Sequence, residues 1–91
     1  MIFATMCIGK EWVEKYKNII NDFSQHNKLH ILTDNEDEFE NCITEKYKRD
    51  VFSYYEKINF ILKLSKKYKE RIYYIDADWL GSYDTNIKVD D

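Results

Sequence analysis

The sequence predicts a small three-layer α/β/α domain with a mainly parallel sheet, and three observations lead to that fold class. Short apolar runs rich in β-branched and aromatic residues alternate with two longer stretches of helical period. The chain contains no proline and only two glycines, so nothing in it resembles a linker. Its 91 residues fit one domain, 1–91, at the small end of the usual range. A domain of that size buries only about 60–65% of the surface its unfolded chain exposes, which predicts modest stability.

The elements follow in order. "MIFATMCIG" (Met1 to Gly9) is an apolar run closed by glycine and reads as a buried strand. "KEWVEKYKNIINDFSQ" sets Trp12, Tyr16, Ile19, Ile20 and Phe23 at helical spacing, with Glu11, Glu14, Lys15, Lys17 and Asn21 on the other face. Lys28 to Thr33, "KLHILT", is a second strand that ends in the polar cluster "DNEDE". Asn41 to Tyr47 is a third. Ser53 and Glu56 form an S-x-x-E capping box, after which Ile58, Ile61, Leu62 and Tyr68 resume a helical period to about Lys69. The strand "RIYYID" follows, and Asn86 to Val89 could add a short edge strand. Strands alternating with helices of this length predict βαβ units joined by right-handed crossovers.

Composition narrows the function. Apolar residues at 44% and aromatic residues at 16% supply a core and argue against disorder. A net charge of -3 argues against non-specific nucleic-acid binding, which needs basic charge to displace counterions from phosphate. The one basic concentration, Lys63 to Arg71, reads as the solvated face and last turn of a helix, with a phosphate- or membrane-contacting patch as the alternative. No apolar run is long enough for a membrane span. Cys7 and Cys42 lack metal-site spacing and read as small buried hydrophobes, with a disulfide between them left open. A reducing, cytoplasmic setting is the default expectation.

The stretch "RIYYIDADWL" carries the chemistry. It sets Asp76 and Asp78 at the end of a run that otherwise belongs to a sheet interior. In open parallel sheets, ligands bind outside the carboxyl ends of the strands, where strand order reverses. Residues two apart in an extended strand share a side, so the two carboxylates can converge. Close carboxylates repel unless a proton or a cation lies between them. A hard divalent ion suits them, because Mg²⁺ and Mn²⁺ take oxygen ligands from one or two carboxylates and from substrate phosphates. The structural alternative has Asp76 capping the turn and Asp78 solvated. A phosphotransferase-type D-x-D with a nucleophilic first Asp fits less well. It normally follows the first strand and continues to Thr or Val, whereas Trp79 and Leu80 follow here.

"FATMCIGKEWVEKY", "KLHILTDNEDEF" and "YYEKINFILKLSKKYKERIYYIDADWL" together resemble the N-terminal, donor-binding half of a GT-A glycosyltransferase with a DxD motif. The likeness runs from Ile2 to about Gly81, and "IDAD" in its context is its specific part. It implies a metal-dependent domain that binds a nucleoside-diphosphate sugar, a UDP-sugar favoured, and transfers the sugar to an acceptor hydroxyl that the sequence does not identify. By the same resemblance Asp76 and Asp78 hold Mn²⁺ or Mg²⁺, and Asp76 also lies near the ribose or sugar. Thr5 and Gly9 meet the base, Asp34 contacts base or ribose, and Lys57 faces the diphosphate. Family domains continue past DxD into an acceptor site and a further metal ligand, often His, which neither His26 nor His30 matches. A truncated or minimal form is therefore implied. Its acceptor site would come from a second subunit, in a homodimer or with a partner chain, or the chain would be a non-catalytic nucleotide-sugar binding module.

Further residues have two readings each. Trp12 and Trp79 could each stack on a sugar or base; Trp12, on the apolar stripe, reads first as core, and Trp79, directly after the acids, is open to both readings. The acidic run from Asp34 to Glu40 lacks the glycine of a calcium loop and reads as a solvated loop, Asp34 excepted.

Overall fold

The computed structural model describes residues 2–48 and 54–80. Ser53, with the capping box it begins, and the edge strand expected at Asn86 to Val89 lie outside the described residues. Four strands are described, β1 (Ile2–Cys7), β2 (Leu29–Thr33), β3 (Ile43–Lys46) and β4 (Ile72–Tyr74), together with helices α1 (Lys10–His26), α2 (Tyr54–Tyr68) and α3 (Ala77–Leu80).

The strands form one sheet in the order β3-β2-β1-β4, and every neighbouring pair is parallel. The chain therefore travels one way from β1 through α1 to β2 and on to β3. It then returns through α2 to place β4 on the far side of β1. Strand order reverses between β1 and β4, beside one edge of the sheet.

Alternation along β1 feeds two cores. Phe3 and Cys7 face α1, where Val13, Ile20 and Phe23 pack with Leu29, Ile31, Phe39 and the α3 residues Ala77 and Leu80. Ala4 and Met6 face α2, packing with Leu32, Tyr47, Phe60 and Leu64. The rings of Phe3 and Phe23 meet edge to face, with centroids 5.2 Å apart. Helices thus cover both faces, and the three-layer α/β/α arrangement follows from strands that are apolar on both sides.

Two helical faces differ from the sequence expectation. The buried face of α1 is Val13, Ile20, Phe23 and Ser24, while Trp12 is 53% exposed and Ile19 is exposed. Trp12 and Ile19 are a heptad apart and share a direction about 100° away from Val13 and Ile20, so they flank the stripe. In α2 the buried residues are Phe60 and Leu64, with Tyr68 packed against the same cluster, while Ile58 and Leu62 are exposed. Aromatic and aliphatic residues surround α2, so periodicity alone does not single out its inner face.

Candidate functional site

A cleft of about 520 Å³ opens at the carboxyl ends of β1 and β4, at the reversal of strand order. Met6 and Cys7 of β1, with Ile8 just beyond it, form one wall. Tyr74, Asp76, Ala77 and Asp78 form the β4 wall, and Trp12 from α1 and Tyr54 and Lys57 from α2 close the sides. A smaller cleft of about 360 Å³ between β3 and α2 holds none of the predicted site residues, and among its lining residues Lys63 is paired with Glu45 at 2.9 Å.

The two acids reach the cleft differently from the sequence expectation. Strand β4 ends at Tyr74, two residues short of Asp76, and Asp78 lies in the first turn of α3. Extended-strand alternation therefore does not align them. A tight turn does, with the Asp76 carbonyl accepting from the Trp79 N–H at 2.9 Å. Ala77 and Leu80, buried against α1, anchor this turn. The Asp76 carboxylate faces the Lys57 ammonium at 3.6 Å.

Lys57 stands 4.3 Å from the centre of the Tyr74 ring and 5.3 Å from that of Tyr54. Both rings present electron-rich faces to the ammonium. The Tyr74 phenol is held well above its ordinary range, first by burial and then by the negative charge of Asp76, with Asp78 adding to the effect. It stays protonated at neutral pH. Cys7 also lines the cleft, but burial and the nearby charge of Asp34 push its thiol up to about 12, so it is no thiolate nucleophile near neutral pH. Both Cys7 and Cys42 are free thiols.

The remaining predicted contacts lie off the cleft. Thr5 is fully buried in the middle of β1, and its hydroxyl has no partner among the described residues. Asp34 accepts from the Gly9 N–H at 3.0 Å and from the Asn35 side-chain amide at 3.2 Å. Gly9 has φ +98°, a conformation open to glycine, and a Cβ there would meet nothing within 4 Å. Glycine serves the bend out of β1, and Asp34 ties the end of β2 to it.

Trp12, expected in the core, is instead a wall of the cleft. Tyr54 and Tyr74 line it too. The sequence marks neither as a site residue, because tyrosine in a strand or helix ordinarily signals packing. Trp79 is 64% exposed and lies outside the cleft lining. His30 is buried and meets the Tyr68 ring at 4.9 Å, while His26 is exposed at the end of α1. In the acidic run, Glu36 accepts from the Thr44 hydroxyl at 2.8 Å and the Glu38 carbonyl from Asn21 at 2.9 Å.

Among the described residues no three His, Cys, Asp or Glu side chains group as ligands for a metal ion. The cleft does offer two exposed carboxylates, a hard-oxygen donor set that suits Mg²⁺ or Mn²⁺ when phosphate oxygens complete the shell. No described helix is long and apolar enough to cross a membrane. No family model, curated protein or solved structure matches the chain.

Proposed function

We propose that this chain is a metal-dependent, glycosyltransferase-like domain that binds a nucleoside-diphosphate sugar in the β1–β4 cleft and passes the sugar to an acceptor hydroxyl. The observation that carries this reading is the convergence of Asp76, Asp78 and Lys57 on one cleft where strand order reverses. The resemblance around "IDAD" favours a uridine diphosphate sugar as donor. Asp76 and Asp78 are the residues that would hold Mn²⁺ or Mg²⁺, which would neutralise charge developing on the leaving diphosphate.

The chain's own residues divide the remaining work. Tyr74 lines the same wall as Asp76 and brings a protonated phenol to the site. Lys57, partnered by Asp76, is positioned to turn toward a phosphate oxygen and add a second positive charge. Met6 and Ile8 give the cleft an apolar wall.

Calorimetry with uridine diphosphate, with and without Mn²⁺, tests the reading. Binding is expected to require the metal and to be lost in Asp78→Ala. Absence of binding under every metal condition would overturn it and leave the acids with a structural role. Metal-dependent binding without transfer across a broad acceptor panel would make the chain a nucleotide-sugar binding module.

A further inference from the structure

We infer that the outward face of α2 docks on an anionic membrane surface, where the helix lies in the headgroup layer without crossing it. This helix is apolar on two opposite sides. Phe60 and Leu64 are buried against the sheet, and at about 100° per residue Leu62 points about 160° away from both. Tyr55, Ile58 and Leu62 share the outward side at i, i+3 and i+7, and all three are exposed, Tyr55 by 78% and Leu62 by 51%. An apolar stripe held in water in this way marks a surface that something else covers.

Charge identifies the cover. From Tyr54 to Lys69 five lysines stand against one glutamate, in a chain whose net charge is -3. Lys57 and Lys63 are taken by Asp76 and Glu45. Lys66 continues the outward stripe one turn beyond Leu62, and Lys69 follows at the end of the helix. Both are exposed, and neither has a carboxylate partner among the described residues. Cations in a last turn suit the helix dipole, but the dipole calls for no apolar stripe beside them.

An interfacial helix needs both features. Its aliphatic side chains enter the acyl boundary, its tyrosines sit at headgroup level, and its lysines reach anionic headgroups. A second copy docked on this face through a two-fold axis would instead set Lys66 and Lys69 near their own counterparts, where like charges repel. Tyr54 and Lys57 of the same helix line the β1–β4 cleft, so docking would hold that wall within about a helix diameter, ~10–12 Å, of the membrane.

Co-sedimentation of the 91-residue chain with lipid vesicles tests the surface, comparing phosphatidylglycerol–phosphatidylcholine mixtures with phosphatidylcholine alone. Binding is expected on the anionic vesicles, weakening as salt rises, and much less on the neutral ones. Ile58→Gln with Leu62→Gln is expected to lower partitioning about 10- to 100-fold, through lost apolar burial. Lys66→Gln with Lys69→Gln is expected to lower it about 10- to 30-fold, since each lysine near an anionic surface contributes about fivefold. Ile19→Gln, at an exposed position of α1 across the sheet, is expected to leave it unchanged. Glutamine is a good helix former, and circular dichroism checks that each variant is folded. Failure of the unaltered chain to bind anionic vesicles would overturn the docking surface. So would an equal loss in Ile19→Gln, or a dimer in sedimentation velocity that the Ile58/Leu62 double variant dissolves, which would give the stripe to a second copy. None of these outcomes depends on what the cleft binds.

Discussion

The Lys57 ammonium lies 3.6 Å from the Asp76 carboxylate, so the candidate metal ligand already has a cationic partner supplied by the chain. A divalent ion arriving at Asp76 must compete with that partner. Lys57→Met is therefore expected to raise affinity for Mn²⁺ alone, by up to about fivefold, since half-exposed ion pairs are worth only ~0–1 kcal/mol. Diphosphate affinity at saturating Mn²⁺ should move the other way and fall about 10- to 100-fold, the loss of one charge-assisted hydrogen bond. Titrating Mn²⁺ by electron paramagnetic resonance and then UDP by calorimetry separates the two. If both affinities fell together, Lys57 would be maintaining the cleft's shape and not its charge.

Asp34 provides a second test, because its two roles predict different readouts. As a tie between strand ends, it accepts from Gly9 and Asn35. Asp34→Ala is expected to lower unfolding free energy by about 1.5–3 kcal/mol, typical of a hydrogen bond to a charged group, measured by urea titration. Gly9→Ala should also destabilise, by about 1–3 kcal/mol, because alanine is strained at φ +98° even with open space around its Cβ. A base or ribose contact would instead show as lost UDP affinity in Asp34→Ala with stability unchanged.

Thr5 separates in the same way. Its hydroxyl is buried without a partner among the described residues. Thr5→Val keeps the shape and removes that cost, so stability is expected to rise by about 1 kcal/mol. UDP binding should be unaffected. Weakened UDP binding in Thr5→Val would return Thr5 to the ligand site.

How far the sequence can be read follows from where each signal resides. Strand identity and parallel pairing are legible because β1 and β2 are largely apolar, as strands covered on both faces must be. The third strand is less distinct, and β3 is a half-exposed edge of four residues. The position of the acids is legible at the strand end, but not the turn that delivers them. "IDAD" carries no proline or glycine to mark where β4 stops at Tyr74. Trp12 reads as core because helical spacing cannot distinguish the centre of a stripe from its flank when a large apolar residue stands on each. Thr5 and Asp34 enter the site by resemblance, and only tertiary contacts reveal that one is enclosed and the other engaged with Gly9.

His30 gives the last prediction, and its sign follows from its surroundings. It lies in β2 on the α2 side, 2% exposed, with its ring against Tyr68 and its Nε2 without a partner among the described residues. Burial is the first cause that holds its pKa below the ordinary 6.5, followed by the positive charges of Lys28 and Lys67. Both ammonium groups also sit over the Tyr68 ring, at 5.1 and 5.3 Å, so protonated His30 would be a third cation around one aromatic residue. The folded state therefore keeps His30 neutral at a pH where the unfolded chain has already bound a proton. Stability is expected to be full above about pH 6.5 and to decline as pH falls below it, by at most about 1.4 kcal/mol per pH unit for one proton. His30→Leu carries no proton at this position and should lose that part of the slope, whatever its absolute stability. Urea titrations of both chains from about pH 7.5 to about pH 5 span the ordinary histidine range and measure the difference. Parallel curves would mean that His30 is protonated as readily in the folded chain as in the unfolded one, and that the strand opens to water on the time scale of titration.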